Sequence, residues 1–128
     1  MKVQLQPGTM RLRVDEAELA TLLDDGALSL VLDNADAVLW SCEVSLDAAI
    51  GEVALETRPP SRWRVRLPAQ AVIGYAATLP RRDALEFVSA NTGSSAHALR
   101  CIAFEVDVRD SMRVRGAARR SERQAASG

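Results

Sequence analysis

Two stretches of alternating arginine carry the clearest chemical potential in this chain. Arg11-Leu12-Arg13-Val14 and Arg62-Trp63-Arg64-Val65-Arg66-Leu67 each set a guanidinium against an apolar side chain at every second position. In an extended backbone that spacing puts all the arginines of a segment on one face. Arg11, Arg13, Arg62, Arg64 and Arg66 would form an anion-binding site for phosphate or carboxylate if the two segments converged. The plainer reading is a solvated sheet face. Glu43, Glu52, Glu56, Glu86, Glu105 and Asp107 also fall at outward positions, where they would make cross-strand ion pairs. Exposed pairs of that kind are worth roughly 0–1 kcal/mol each.

Glu105-x-Asp107 is the second constellation. Two carboxylates on one strand face, with Glu43 at the corresponding place earlier in the chain, could hold a divalent cation or serve in acid–base chemistry. No Asp-x-Asp loop or calcium-type glycine accompanies them. His97 is the lone histidine. It has Ser94 and Ser95 beside it but no Gly-x-Ser-x-Gly or comparable nucleophile signature. Cys42 and Cys101 lie far apart with no CxxC or HxxxH pair, a poor basis for zinc. Asn91-Thr92-Gly93-Ser94-Ser95 lacks the Gly-Lys-Ser/Thr ending of a phosphate loop. The pattern thus predicts no cofactor and offers no catalytic residue.

Composition narrows the classes further. The 128 residues suit one domain, and a chain that is 48% hydrophobic and only 4% aromatic must build its core from Leu, Val and Ala. A net charge of −1 disfavours strong non-specific attraction to nucleic acid or an anionic membrane. The positive charge that exists is concentrated late: residues 109–128 carry 6 Arg against Asp110 and Glu122. That tail could touch nucleic acid weakly. With 15 Arg and one Lys in the whole chain, arginine here reads more as a base-composition bias than as selection for guanidinium chemistry. No stretch reaches the ~18 apolar residues of a membrane span. The opening Met1-Lys2-Val3-Gln4-Leu5-Gln6 reads as a strand and not a signal peptide. Two cysteines without a framework suggest free thiols and a cytoplasmic setting.

The elements that would position these groups follow from periodicity. Val3 and Leu5 alternate with polar residues, and Pro7-Gly8 turns the chain. Met10, Leu12 and Val14 make a second strand. Asp15 with Glu18 predicts a helix start with a capping box, and Gly26 a stop. Leu28, Leu30 and Leu32, then Trp40, Cys42, Val44 and Leu46, make two more strands around the Asp33–Asp36 turn. The plan then recurs: Val53 and Leu55, the Pro59-Pro60 turn, Trp63, Val65 and Leu67, a helix entered at Pro68 and ended at Pro80, Leu85 and Phe87, and finally Ile102, Phe104, Val106 and Val108. Arg64-Val65-Arg66-Leu67 echoes Arg11-Leu12-Arg13-Val14, and Ala84-Leu85-Glu86-Phe87-Val88 echoes Ala27-Leu28-Ser29-Leu30-Val31. Duplication and the coincidence of an α+β meander both accommodate this. On this reading residues 1–109 form a single α+β domain, an antiparallel sheet with two short amphipathic helices and a possible ββαββ tandem duplication. Residues 110–128 form a basic, disordered tail. Trp40 and Trp63 are expected at equivalent inward positions of the two halves.

The opening Met1-Lys2-Val3-Gln4-Leu5, with Thr9-Met10-Arg11-Leu12-Arg13-Val14 and the capped helix start, resembles a family of small bacterial proteins of unknown function. Trp63-Arg64-Val65-Arg66-Leu67-Pro68 resembles a second segment of that family. Its closing strand carries a Lys, then an aromatic at its end and a cysteine soon after, none of which stands at the corresponding place in Ala103–Val108. The resemblance implies a small bacterial domain and supplies no catalytic residues.

Together these features lead to an expected non-catalytic cytoplasmic domain acting through protein contacts, as a homodimer or an accessory subunit. Edge strands near 2–6 or 99–108 would be the means. The alternative is a binder of a phosphorylated small molecule or RNA through the arginine strands.

Overall fold

The computed structural model describes residues 1–88 and 98–108. The loop around Asn91–Ala96, His97 and the tail from 110 lie outside the described residues. Ten elements follow in order: β1 (Lys2–Gln6), β2 (Thr9–Asp15), α1 (Glu16–Asp25), β3 (Ala27–Asp33), β4 (Val38–Asp47), β5 (Ala54–Glu56), β6 (Arg62–Pro68), α2 (Ala69–Ala76), β7 (Leu85–Val88) and β8 (Cys101–Asp107). The α+β class holds. The strands form two four-stranded sheets, ordered β1-β2-β8-β7 and β3-β4-β6-β5.

The outer pairs are antiparallel, but each sheet is joined at its centre by a parallel pair, β2 with β8 and β4 with β6. Each sheet therefore takes the first hairpin of one half and the second hairpin of the other. Sequence periodicity shows which residues face the core; it carries no information about which half a strand pairs with. The arrangement places β8 inside a sheet, with β2 along its whole length and β7 over Cys101–Phe104, so it is not an edge strand, while β1 is one.

The registers relate the halves residue by residue. Thr9 faces Cys101 and Asp15 faces Asp107, as Arg62 faces Ser41 and Pro68 faces Asp47. Leu85 faces Phe104 as Leu28 faces Val44. Even the loop bonds match: Cys101 N donates to Gly8 O at 3.1 Å, and Ser41 N to Ser61 O at 2.8 Å. This correspondence is consistent with a duplicated ββαββ unit.

Alternation supplies the core. Met10, Leu12 and Val14 of β2, Cys42 and Val44 of β4, Val65 and Leu67 of β6, and Ile102, Phe104 and Val106 of β8 are buried in one cluster between the sheets. Leu19 and Leu22 of α1 and Val72 and Tyr75 of α2 join it at helical spacing. Among the described residues no polar or charged residue is buried.

The two helices begin differently. Asp15 Oδ1 accepts from Glu18 N at 2.7 Å, and Glu18 Oε1 accepts from Asp15 N at 3.1 Å, completing the capping box. Gly26, at φ +78°, ends α1 in the left-handed conformation that favours glycine. Pro68 occupies the equivalent cap of α2 and makes no side-chain bond there. That helix ends at Ala76, before the Pro80 expected to stop it, and residues 77–84 cross to β7 where the first half needs only Gly26.

Candidate functional site

The inward alternation that builds the core sends the arginines outward, away from the cluster between the sheets. Arg11 and Arg13 therefore sit on the outer face of the β1-β2-β8-β7 sheet, and Arg62, Arg64 and Arg66 on the outer face of the other. The structure does not bring the five together.

Three of them have carboxylates in reach. Arg11 Nη1 lies 3.3 Å from Glu105 Oε2. Arg13 lies 3.7 Å from Glu105 and 3.8 Å from Asp107. Arg66 lies 3.5 Å from Asp47 and 3.4 Å from Glu56. Arg13 and Arg66 occupy equivalent positions, and Asp107 and Asp47 do likewise. The Nε of each of these two arginines is buried without a hydrogen-bond acceptor. The feature is present once on each sheet: the guanidinium of Arg13 or Arg66 reaches acids of the neighbouring strands. The parallel register also makes Ser45, and not Glu43, the counterpart of Glu105.

Glu105 and Asp107 thus face arginines. Among the described residues no set of three or more His, Cys, Asp or Glu is arranged to hold a metal ion. Cys42 and Cys101 are both free thiols. Burial pushes the Cys42 thiol up to about 11, and burial also raises Cys101. Cys42 is a fully buried core side chain, and Cys101 is half-buried.

One arginine group is not legible from sequence. Residues 77–84 bring Arg81 and Arg82 towards Arg13, and a cleft of about 290 Å³ is lined by these three with Tyr75, Glu105 and Asp107. Arg81 stacks over the Tyr75 ring at 5.2 Å and chelates Asp83, its Nε lying 2.9 Å from Oδ1. That carboxylate raises the Arg81 pKa, and the guanidinium in turn lowers that of Asp83. The Tyr75 hydroxyl donates to the Asp83 carbonyl at 2.7 Å and fixes the crossing. Burial raises the tyrosine pKa further. With Asp83, Glu105 and Asp107 against three arginines, the cleft is close to neutral.

A second region stands out for the opposite reason. Beyond Leu30 and Cys42, the β3–β4 hairpin runs on as a two-stranded ribbon. Val31, Leu32, Val38 and Leu39 are 52%, 57%, 58% and 52% exposed. The ladder slips by one residue at Leu39: Leu32 pairs with Trp40 on the core side, whereas Val38 pairs with Asp33 on the side of Val31, so the ribbon carries exposed aliphatic side chains on both faces. Its tip is polar and tightly made: Asn34 Oδ1 accepts from Asp36 N at 3.1 Å and from Ala37 N at 3.0 Å, and Asn34 N donates to Ala37 O at 3.0 Å. At its base Trp40 meets Trp63 edge-on, ring centroids 5.6 Å apart, and Trp63 Nε1 donates to Pro60 O at 2.9 Å. The two tryptophans are therefore neighbours on one sheet, not equivalents; the counterpart of Trp63 is Met10. The signal for the ribbon is present as Leu30-Val31-Leu32 and Val38-Leu39-Trp40. Runs that break alternation around a tight turn cannot hide every side chain on one face.

No helix among the described residues is long and apolar enough to cross a membrane. No protein-family model matches the chain, and no curated protein or solved structure matches it.

Proposed function

We propose that this chain is a small non-catalytic cytoplasmic domain that acts through protein contacts, and that the β3–β4 ribbon makes them. The observation that carries this is the presence of four half-exposed aliphatic side chains, Val31, Leu32, Val38 and Leu39, on one ribbon. Scattered exposed aliphatics are ordinary, but a contiguous cluster at the end of a projecting element marks an interaction site. The resemblance to small bacterial proteins of unknown function belongs to the same proposal and adds no activity to it.

Site-specific photo-crosslinking tests the reading. A photoreactive phenylalanine analogue at position 32, in the chain expressed in cells, should yield protein adducts. The same analogue at position 64, on an arginine face, should yield none. Adducts from position 64 to nucleic acid, with none from position 32, would reverse the proposal.

One observation favours a second reading, binding of a phosphorylated small molecule. The cleft gathers Arg13, Arg81 and Arg82, and among the described residues Arg82 makes no ion pair. The Glu105 and Asp107 carboxylates that line the cleft, and Asp83 paired with Arg81, weigh against this reading. Equilibrium dialysis with inorganic phosphate and nucleotides should detect no binding that disappears in Arg82→Gln.

A further inference from the structure

The ribbon's free edge points to its occupant. Four strands end the two sheets: β1, β7, β3 and β5. Native edges are guarded by charge, proline or brevity. β5 has three residues. β7 has four and carries Glu86. β1 opens with Lys2 and alternates with Gln4 and Gln6. β3 has seven residues, and its one charge is its last residue, Asp33. From Leu28 to Leu32 it has no charge, proline or glycine. Beyond its ladder with β4, β3 makes no backbone hydrogen bond to another described segment.

We infer that β3 pairs antiparallel with β3 of a second copy of this chain, resting on the reading that the ribbon is a contact surface. A flat partner would cover one face of the ribbon and leave the other wet. An added strand brings side chains to both faces at once. The copy of β3 is self-complementary about Val31. That register sets Leu30 opposite Leu32 of the second copy, Val31 opposite its own counterpart, and Ser29 opposite Asp33. Apolar residues then meet apolar ones, and each aspartate meets a hydroxyl and not another carboxylate. A net charge of −1 per chain adds little repulsion. The added strand lies against Val31 and Leu32 of β3 on both copies, the exposed aliphatic residues of that edge. Pairing consumes the same edge on both chains, so assembly closes at two.

Sedimentation equilibrium over a wide range of concentration gives the first measurement. The expected mass rises to twice the 13.8 kDa of one chain and no further. Leu32→Lys should weaken the dimer at least about tenfold without lowering the melting temperature of the chain diluted to the monomer, because the residue lies outside the core. In a Cys101→Ser background, Val31→Cys should form an intermolecular disulfide across the axis on air oxidation, since directly opposed strand residues fall within disulfide reach. Leu5→Cys, equally exposed but on the β1 edge, should not. A chain monomeric at every concentration overturns the proposal, as does a dimer that survives Leu32→Lys and crosslinks through Leu5→Cys. A monomer that still gives adducts with another protein from position 32 overturns the second copy alone and leaves the ribbon reading intact. A monomer that gives none overturns both.

Discussion

The hairpins β3–β4 and β7–β8 are built on matching strands and end in opposite ways. Leu28-Ser29-Leu30-Val31 corresponds to Leu85-Glu86-Phe87-Val88, and both valines point outward, Val88 being the more exposed. Beyond that point the paths part. In the second half the chain before β8 is pinned to the Pro7-Gly8 turn, Arg100 N donating to Gly8 O at 2.8 Å. Leu99 packs against the core, and β8 starts only at Cys101. In the first half β4 starts three residues earlier than this correspondence requires, at Val38, and pairs with β3 out to a four-residue turn. Among the described residues the second half shows no such extension of its second hairpin. The ribbon of the first half has no described counterpart, which is why we propose that the contacts are made there.

The largest effect expected on stability separates core from ribbon. Phe104→Ala should cost about 3–5 kcal/mol in urea unfolding, because the ring is fully buried against Tyr75. Leu32→Ala should cost under about 0.5 kcal/mol when the monomer is measured. Equal costs at the two positions would mean that the ribbon is core and would break the comparison.

The cysteines sharpen it by pH. Cys42 is buried on β4, with a thiol held at about 11 against an ordinary 9.0. Below pH 9 the thiol is neutral in both the folded and the unfolded chain. Above it the unfolded chain ionises first, so stability falls as pH rises from about 9 to about 11. The decrease is roughly 2–3 kcal/mol, and Cys42→Ala should remove it in a pH series of denaturation curves. Thiol reagents at neutral pH should reach the half-buried Cys101 first.

The helix that precedes each of these hairpins gives a third contrast. Asp15→Ala removes the capping box of α1 and should cost about 1 kcal/mol. Pro68→Ala removes no cap bond and should cost less. Smallest of all, Arg13→Gln and Arg66→Gln should each cost under about 1 kcal/mol, with the difference shrinking as salt is added. A markedly larger effect at Arg13 alone would draw attention back to the cleft that Arg81 and Arg82 complete.

Local features are legible in the sequence because they depend on neighbours along the chain. The capping box at Asp15 and Glu18, the Gly26 stop, the core stripe of Met10, Leu12 and Val14, and the matching of the two halves are all visible there. What escapes depends on contacts between distant residues. Periodicity cannot report that β2 joins β8 and β4 joins β6, so it can neither separate the arginines onto two sheets nor bury β8 in the middle of one. Nor can it bring Arg81 beside Arg13, because the path of residues 77–84 is set by the bond from the Tyr75 hydroxyl to the Asp83 carbonyl. The ribbon is half legible. Its residues read as strands, but only the finished core shows that they stay exposed among the described residues.

The most direct test of the central claim is the fourfold variant Val31→Thr, Leu32→Thr, Val38→Thr, Leu39→Thr, followed by thermal melting and by sedimentation with and without the chain's cellular extract. The ribbon account predicts a folded protein that melts within a few degrees of the parent but neither self-associates nor binds other proteins. An unfolded variant, or one that associates as the parent does, would contradict it.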